Sequence, residues 1–135
     1  MNRRETRERA VELIFEASFH NFENPQLIYD TAKTVREFKD NDYVRTLFFG
    51  ISENYSLIDE KIGECAKGWK TARISRMILS IMRLAVYEML FSDDVPFNVA
   101  INEAIELTKE YAFDESPAFV NGVLNKIAEN EGLKN

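Results

Sequence analysis

Residues 77–91 read MILSIMRLAVYEMLF, and twelve of these fifteen are apolar. A helix with so little polar surface belongs in the middle of a bundle, because no solvent-facing stripe is left. Ser80, Arg83 and Glu88 interrupt the run, and it is shorter than the roughly 20 residues that cross a bilayer, so it reads as a buried helix of a soluble protein. Ser75 stands just upstream as a cap, and Asp93, Asp94 and Pro96 break the chain behind it.

On both sides the pattern stays helical. From Arg3 to about His20, the residues Ala10, Leu13, Ile14 and Ala17, flanked by Val11 and Phe15, recur at three and four positions as an amphipathic stripe. Asn24 and Pro25 form a cap and first-turn pair for a second helix through Leu27, Ile28, Ala32 and Val35. Asp40 and Asn41 read as the cap of a third, which carries Tyr43, Val44, Leu47, Phe48 and Ile51. It is expected to stop near Asn54, because Ser56 and Asp59 have capping-box spacing. A fourth helix then runs from about Leu57 to Ala66 and ends at Gly68. The apolar run is the fifth, a sixth carries Val99, Ala100, Ile101, Ala104, Ile105 and Leu107 up to Tyr111, and Ser116 and Pro117 open a seventh through Phe119, Val120, Val123, Leu124 and Ile127. With 5 Gly, 3 Pro and no sustained period-two alternation, strands have no support. The expectation is an all-α fold of about seven helices, a single domain over 1–135 with one seam near Gly68, between an N-terminal group (about 1–67) and a C-terminal group (about 68–135).

Composition narrows the function. At 135 residues there is one core and no room for a separate catalytic domain, and 45% hydrophobic with 30% charged residues excludes disordered, collagenous and membrane classes. The only cysteine, Cys65, forms no internal disulfide and reads as an apolar filler. The basic start leads into no signal-type apolar run, which points to the cytoplasm. His20, the only histidine, reads as a helix-end or surface residue, and no Cys and His cluster has metal-ligand spacing. There is no phosphate loop or nucleophile elbow, and Glu103, Glu106, Glu110, Asp114 and Glu115 read as a solvated acidic face. No enzyme, cofactor or metal is expected.

Seventeen basic against twenty-three acidic residues leave a net charge of −6, so any nucleic-acid site must be a local patch. Two patches stand out. Arg3, Arg4 and Arg7 share one side of the first helix, near Arg9, at what reads as an exposed helix start. Between Cys65 and Tyr87 lie Lys67, Lys70, Arg73, Arg76 and Arg83 with no acidic residue, and Arg76 and Arg83 fall on one helix face. Either block is placed to track a phosphate backbone, with Trp69 or Phe15 for base stacking, or merely to lend solubility and intrahelical pairs. Asn121 and Gly122 are poor helix formers inside an apolar helical pattern. A close helix crossing at Gly122 or a partner surface accounts for them.

Four segments carry a family resemblance: IMRLAVYE (81–88), DVP (94–96), VAINEAIEL (99–107) and SPAFVNGVL (116–124). Their order and spacing, with the arginine-rich opening from Arg3 to Val11, resemble the NusB family of transcription antitermination factors. The resemblance implies two small helical subdomains packed together, no catalysis, and joint binding of single-stranded boxA leader RNA with NusE, the ribosomal protein that doubles as a transcription factor, in the RNA polymerase antitermination complex. It implies RNA contacts at Arg3, Arg4, Arg7, Glu115 and Phe119, and a NusE-facing role for Glu88, a charge among apolar neighbours that otherwise needs an internal partner such as Arg83 or Arg73. Lys70, Arg73 and Arg76 are further candidate RNA contacts. The chain departs from the family pattern at Ile78 and Leu79, where Asp-Arg is usual, at Ala112, where glycine is usual, and at Ala118, where a basic residue is usual. A protein-interaction module, homodimeric or NusE-bound, is the competing expectation. An accessory domain of an RNA methyltransferase is a third, without a cofactor motif to support it.

Overall fold

The computed structural model describes residues 1–36, 38–66, 74–111 and 116–134. These form α1 (Arg3–Ser18), α2 (Pro25–Val35), α3 (Asp42–Cys65), α4 (Arg76–Phe91), α5 (Phe97–Tyr111) and α6 (Ser116–Asn130), with no strand among the described residues. The apolar run is α4, and it packs against α1, α3, α5 and α6. Ile78, Ile81, Met82, Leu84, Ala85, Val86 and Met89 are buried in one core cluster that draws on all six helices. Ile78, one of the departures from the family pattern, thus sits in the core, and Leu79 packs against it.

The helices number six among the described residues, not seven, because the expected third and fourth helices are one 24-residue helix, α3. Ser56 and Asp59 match the capping pattern but do not end the helix. Asp59 instead receives the Arg83 guanidinium on both oxygens, at 2.8 and 2.9 Å, so a tertiary ion pair takes the carboxylate that a local cap would have used. Helix starts elsewhere follow local chemistry: the Asn2 side chain accepts from Glu5 N, Asn41 from Tyr43 N and Val44 N, and Ser75 from Ile78 N. Asn24 departs from its expected side-chain cap. It is left-handed (φ 49°), makes no side-chain cap bond, and offers only its carbonyl to Leu27 N and Ile28 N. Asn21 and Phe22 are also left-handed. For a residue as bulky as Phe22 that costs about 1–2 kcal/mol, offset by burial of its ring on Tyr55 (centroids 4.7 Å apart) beneath the Arg83 guanidinium.

The close helix crossing expected at Gly122 falls elsewhere. A Cβ built on Gly122 meets nothing within 4 Å, whereas one on Gly50 of α3 would overlap the Tyr87 ring of α4, with Cε1 at 2.6 Å. The expected seam at Gly68 lies outside the described residues.

Candidate nucleic-acid interface

Asn2 caps α1, and the turn it starts carries Arg3 and Arg4 into solvent, their side chains 47% and 51% exposed. Each faces a carboxylate of the C-terminal half. Arg3 lies over the Tyr43 ring, 3.6 Å from guanidinium carbon to centroid, and 4.0 Å from Asp94. Arg4 donates from Nε and Nη2 to the two oxygens of Glu103 at 3.1 and 3.2 Å. The hydrogen bond and charge of Glu103 hold the Arg4 guanidinium above its ordinary pKa, helped by Glu106 and Glu110.

Arg7, one turn on, is a different kind of residue. The expectation of an exposed helix start is corrected here: Arg7 is 4% exposed, and its Nε–H is shared between the two oxygens of Glu88, at 2.9 and 3.1 Å. The reason is the approach of α1 to α4, which places position 7 over position 88. Tyr43 of α3 donates its hydroxyl to the same carboxylate, and Glu103 stands 4.0 Å from Arg7 Nη1. Burial pushes the Arg7 pKa down, but the hydrogen bond and charge of Glu88 outweigh it and leave the pKa raised. Burial, then the bond to Glu88 and its charge, push the Tyr43 phenol up to about 12. Glu88, expected to face a partner, is 1% exposed in this chain, with both oxygens engaged internally. Its internal partners are Arg7 and Tyr43. Of the internal alternatives, Arg83 turns to Asp59, and Arg73 lies outside the described residues.

Of the second basic block, the described Arg76 and Arg83 do not join the first. Arg76 sits at the opposite end of α1, where it donates to the Ser18 carbonyl at 3.1 Å and covers the Phe19 ring. That is roughly 20 Å from Arg3 at 1.5 Å per helical residue. Arg83, expected on the same solvent face, is buried on Asp59. Lys70, Trp69 and Glu115 lie outside the described residues, as does Ala112. Phe119 is a buried core residue in the first turns of α6, next to the exposed Ala118, so its ring is not laid open for stacking. Beyond it, Asn121 and Gly122 are exposed, and the Asn121 side chain accepts from Asn125 on the same helix. Among the described residues no group of three or more His, Cys, Asp and Glu is placed to hold a metal, and no helix is long and apolar enough to cross a membrane.

Two contributors carry no signal of this role in the sequence: Glu103 has the spacing of a solvated acidic face, and Tyr43 falls in the apolar pattern of its helix. Arg4 and Glu103 are 99 positions apart, so helical spacing carries no trace of their meeting.

The geometry defines a class: an all-helical module that turns the first arginines of its N-terminal helix outward and braces them on carboxylates of its other half. The NusB family model matches residues 4–129, and the chain belongs to the NusB family. A transcription antitermination protein NusB from Clostridium botulinum (strain Kyoto / Type A2) is 43% identical, the match covering 94% of this chain and 99% of that protein. The crystallised NusB of T. maritima superposes with a TM-score of 0.82 at 35% identity, over 96% of this chain and 92% of the other. A chain in the crystal structure of antitermination factors NusB and NusE in complex with dsRNA gives 0.81 at 23% identity, over 95% and 96%, and at that identity speaks for the fold alone.

Proposed function

We propose that this chain is a noncatalytic, cytoplasmic transcription antitermination factor that binds single-stranded boxA-type RNA jointly with NusE, as part of the RNA polymerase antitermination complex. The observation that carries the reading is the outward Arg3 and Arg4 pair on a capped helix end, the described local patch where an acidic chain offers adjacent guanidiniums to a phosphate backbone. The buried Arg7–Glu88–Tyr43 cluster beneath them supports it, because it fixes that helix end against α3 and α4 and so limits the ordering cost of RNA capture. In this reading Arg3 and Arg4 take phosphates, and Phe119, buried in the first turns of α6, supports from within the core the further RNA edge that the family resemblance implies. Ala118 adds no positive charge there, so NusE supplies part of the affinity.

A second reading, a protein-interaction module without RNA binding, draws on one observation: Arg3, Arg4 and Arg7 each already face a carboxylate. Fluorescence anisotropy of a labelled boxA-type oligonucleotide, at several salt concentrations with and without NusE, separates the two. The RNA reading predicts salt-sensitive binding that NusE strengthens. The module reading predicts NusE binding with no RNA contribution.

A further inference from the structure

We propose that Glu103 is an internal stand-in for an RNA phosphate: it occupies the Arg4 donors while RNA is absent and gives Arg4 up when a phosphate arrives. The proposal rests on the RNA-binding reading and deepens it by adding a residue that sets affinity without touching RNA.

Three features of the site carry it. Arg4 meets Glu103 fork to fork, Nε on one oxygen and Nη2 on the other, at 3.1 and 3.2 Å. A guanidinium takes two oxygens of a phosphodiester in the same way, so the carboxylate occupies the donors that RNA needs. Next, the two sides of the contact differ in freedom. The Glu103 side chain is 22% exposed and lies 4.0 Å from Arg7, which is itself locked on Glu88; the Arg4 side chain is half exposed. Arg4 is therefore the part that moves, and Glu103 stays behind beside a fixed cation. Last, an exposed pair of this kind is weak, so a phosphate competes with it successfully, as it would not with the buried Arg7–Glu88 pair.

The exchange has a signature in salt. When Arg4 leaves for a phosphate, the RNA releases counterions, but breaking the Arg4–Glu103 pair costs most at low salt, where that pair is least screened, so the net salt dependence of the contact is reduced. Removing the carboxylate charge restores the full dependence of about 0.7 per phosphate contact on a single strand.

The test is Glu103→Gln, near-isosteric and still able to hydrogen-bond, titrated with boxA-type RNA in the presence of NusE. Expected are three- to tenfold tighter binding at low salt, a slope of log K against log salt steeper by up to about 0.7, and convergence with the parent at high salt. In an Arg4→Ala background the same change is expected to yield less than twofold. Unchanged affinity and slope for Glu103→Gln overturn the proposal, and so does a gain that persists without Arg4, since Glu103 then acts only as a general repulsive charge. A second measurement needs no variant at position 103: the Arg4 Nε–H resonance of the parent protein shifts on adding RNA if Arg4 changes partners, and an unmoved resonance in an RNA-bound sample overturns the idea. If neither parent nor variant binds RNA with or without NusE, the functional reading itself fails, and the proposal with it.

Discussion

Replacing Arg7 with Ala is expected to threaten the fold before it affects any ligand. In the parent, the Glu88 carboxylate is buried and held by the Arg7 Nε–H at 2.9 and 3.1 Å and by the Tyr43 hydroxyl. Arg7→Ala removes the one cation that contacts it among the described residues and leaves the neutral Tyr43 donor. Removing one partner of a buried ion pair costs about 3–5 kcal/mol, and the remaining Tyr43 bond places this case near the lower end. A domain of this size holds roughly 5–15 kcal/mol in total, so the loss is a large share. Urea unfolding followed by far-ultraviolet circular dichroism measures it directly; with m of about 1–3 kcal/mol/M, the midpoint falls by roughly 1–3 M. The double variant Arg7→Met with Glu88→Leu leaves no unpaired charge and is expected to recover most of the loss, giving a coupling of about 2 kcal/mol or more. If Arg7→Ala unfolds within about 1 kcal/mol of the parent, the pair is not structural, and Arg7 behaves as the exposed phosphate ligand that helical spacing alone suggests.

The two glycines of the helix interiors are expected to respond with opposite signs. Gly122→Ala gains about 1 kcal/mol of helix propensity in open space, whereas Gly50→Ala loses about 1–3 kcal/mol to overlap with the Tyr87 ring, more than propensity returns; thermal unfolding of both reads the contrast. Alkaline pH is expected to destabilise the fold through Tyr43, whose phenol rises from the ordinary 10 to about 12. Between those values the unfolded chain has released the proton and the folded chain has kept it, so stability present below pH 10 is lost as pH rises toward 12. Tyr29, Tyr87 and Tyr111 are shifted upward as well, chiefly by burial, so Tyr43→Phe is expected to flatten the loss rather than abolish it. An unaltered pH slope in that variant would show that burial and the bond to Glu88 do not hold Tyr43 neutral.

How much was legible in the sequence depends on the range of the interaction. Residues 77–91 announce a central helix because burial on all faces is written into one local run, and Asn41 and Ser75 announce helix starts because a cap acts over two or three residues. Ser56 and Asp59 mislead for the same reason: the pattern is local, but the outcome is decided by Arg83, 24 positions away from Asp59. Glu88 is visible as a misplaced charge, yet its partner Arg7 is 81 positions distant and hidden among four arginines that look alike in sequence. Gly122 illustrates the converse, a residue whose oddity signals packing when it in fact faces open space.

The most direct test of the account compares the parent with an Arg3→Ala, Arg4→Ala double variant, both with NusE, in boxA-type RNA titrations across a range of salt. Both side chains are about half exposed, and neither belongs to the buried Arg7–Glu88 pair, so the variant is expected to fold as the parent does. Weaker RNA binding is expected, with a slope of log K against log salt shallower by up to about 1.4 for two lost phosphate contacts and by less where Glu103 already offsets Arg4. The affinity for NusE stays unchanged. RNA affinity and slope equal to the parent's would contradict the claim that this helix end is the RNA-binding edge.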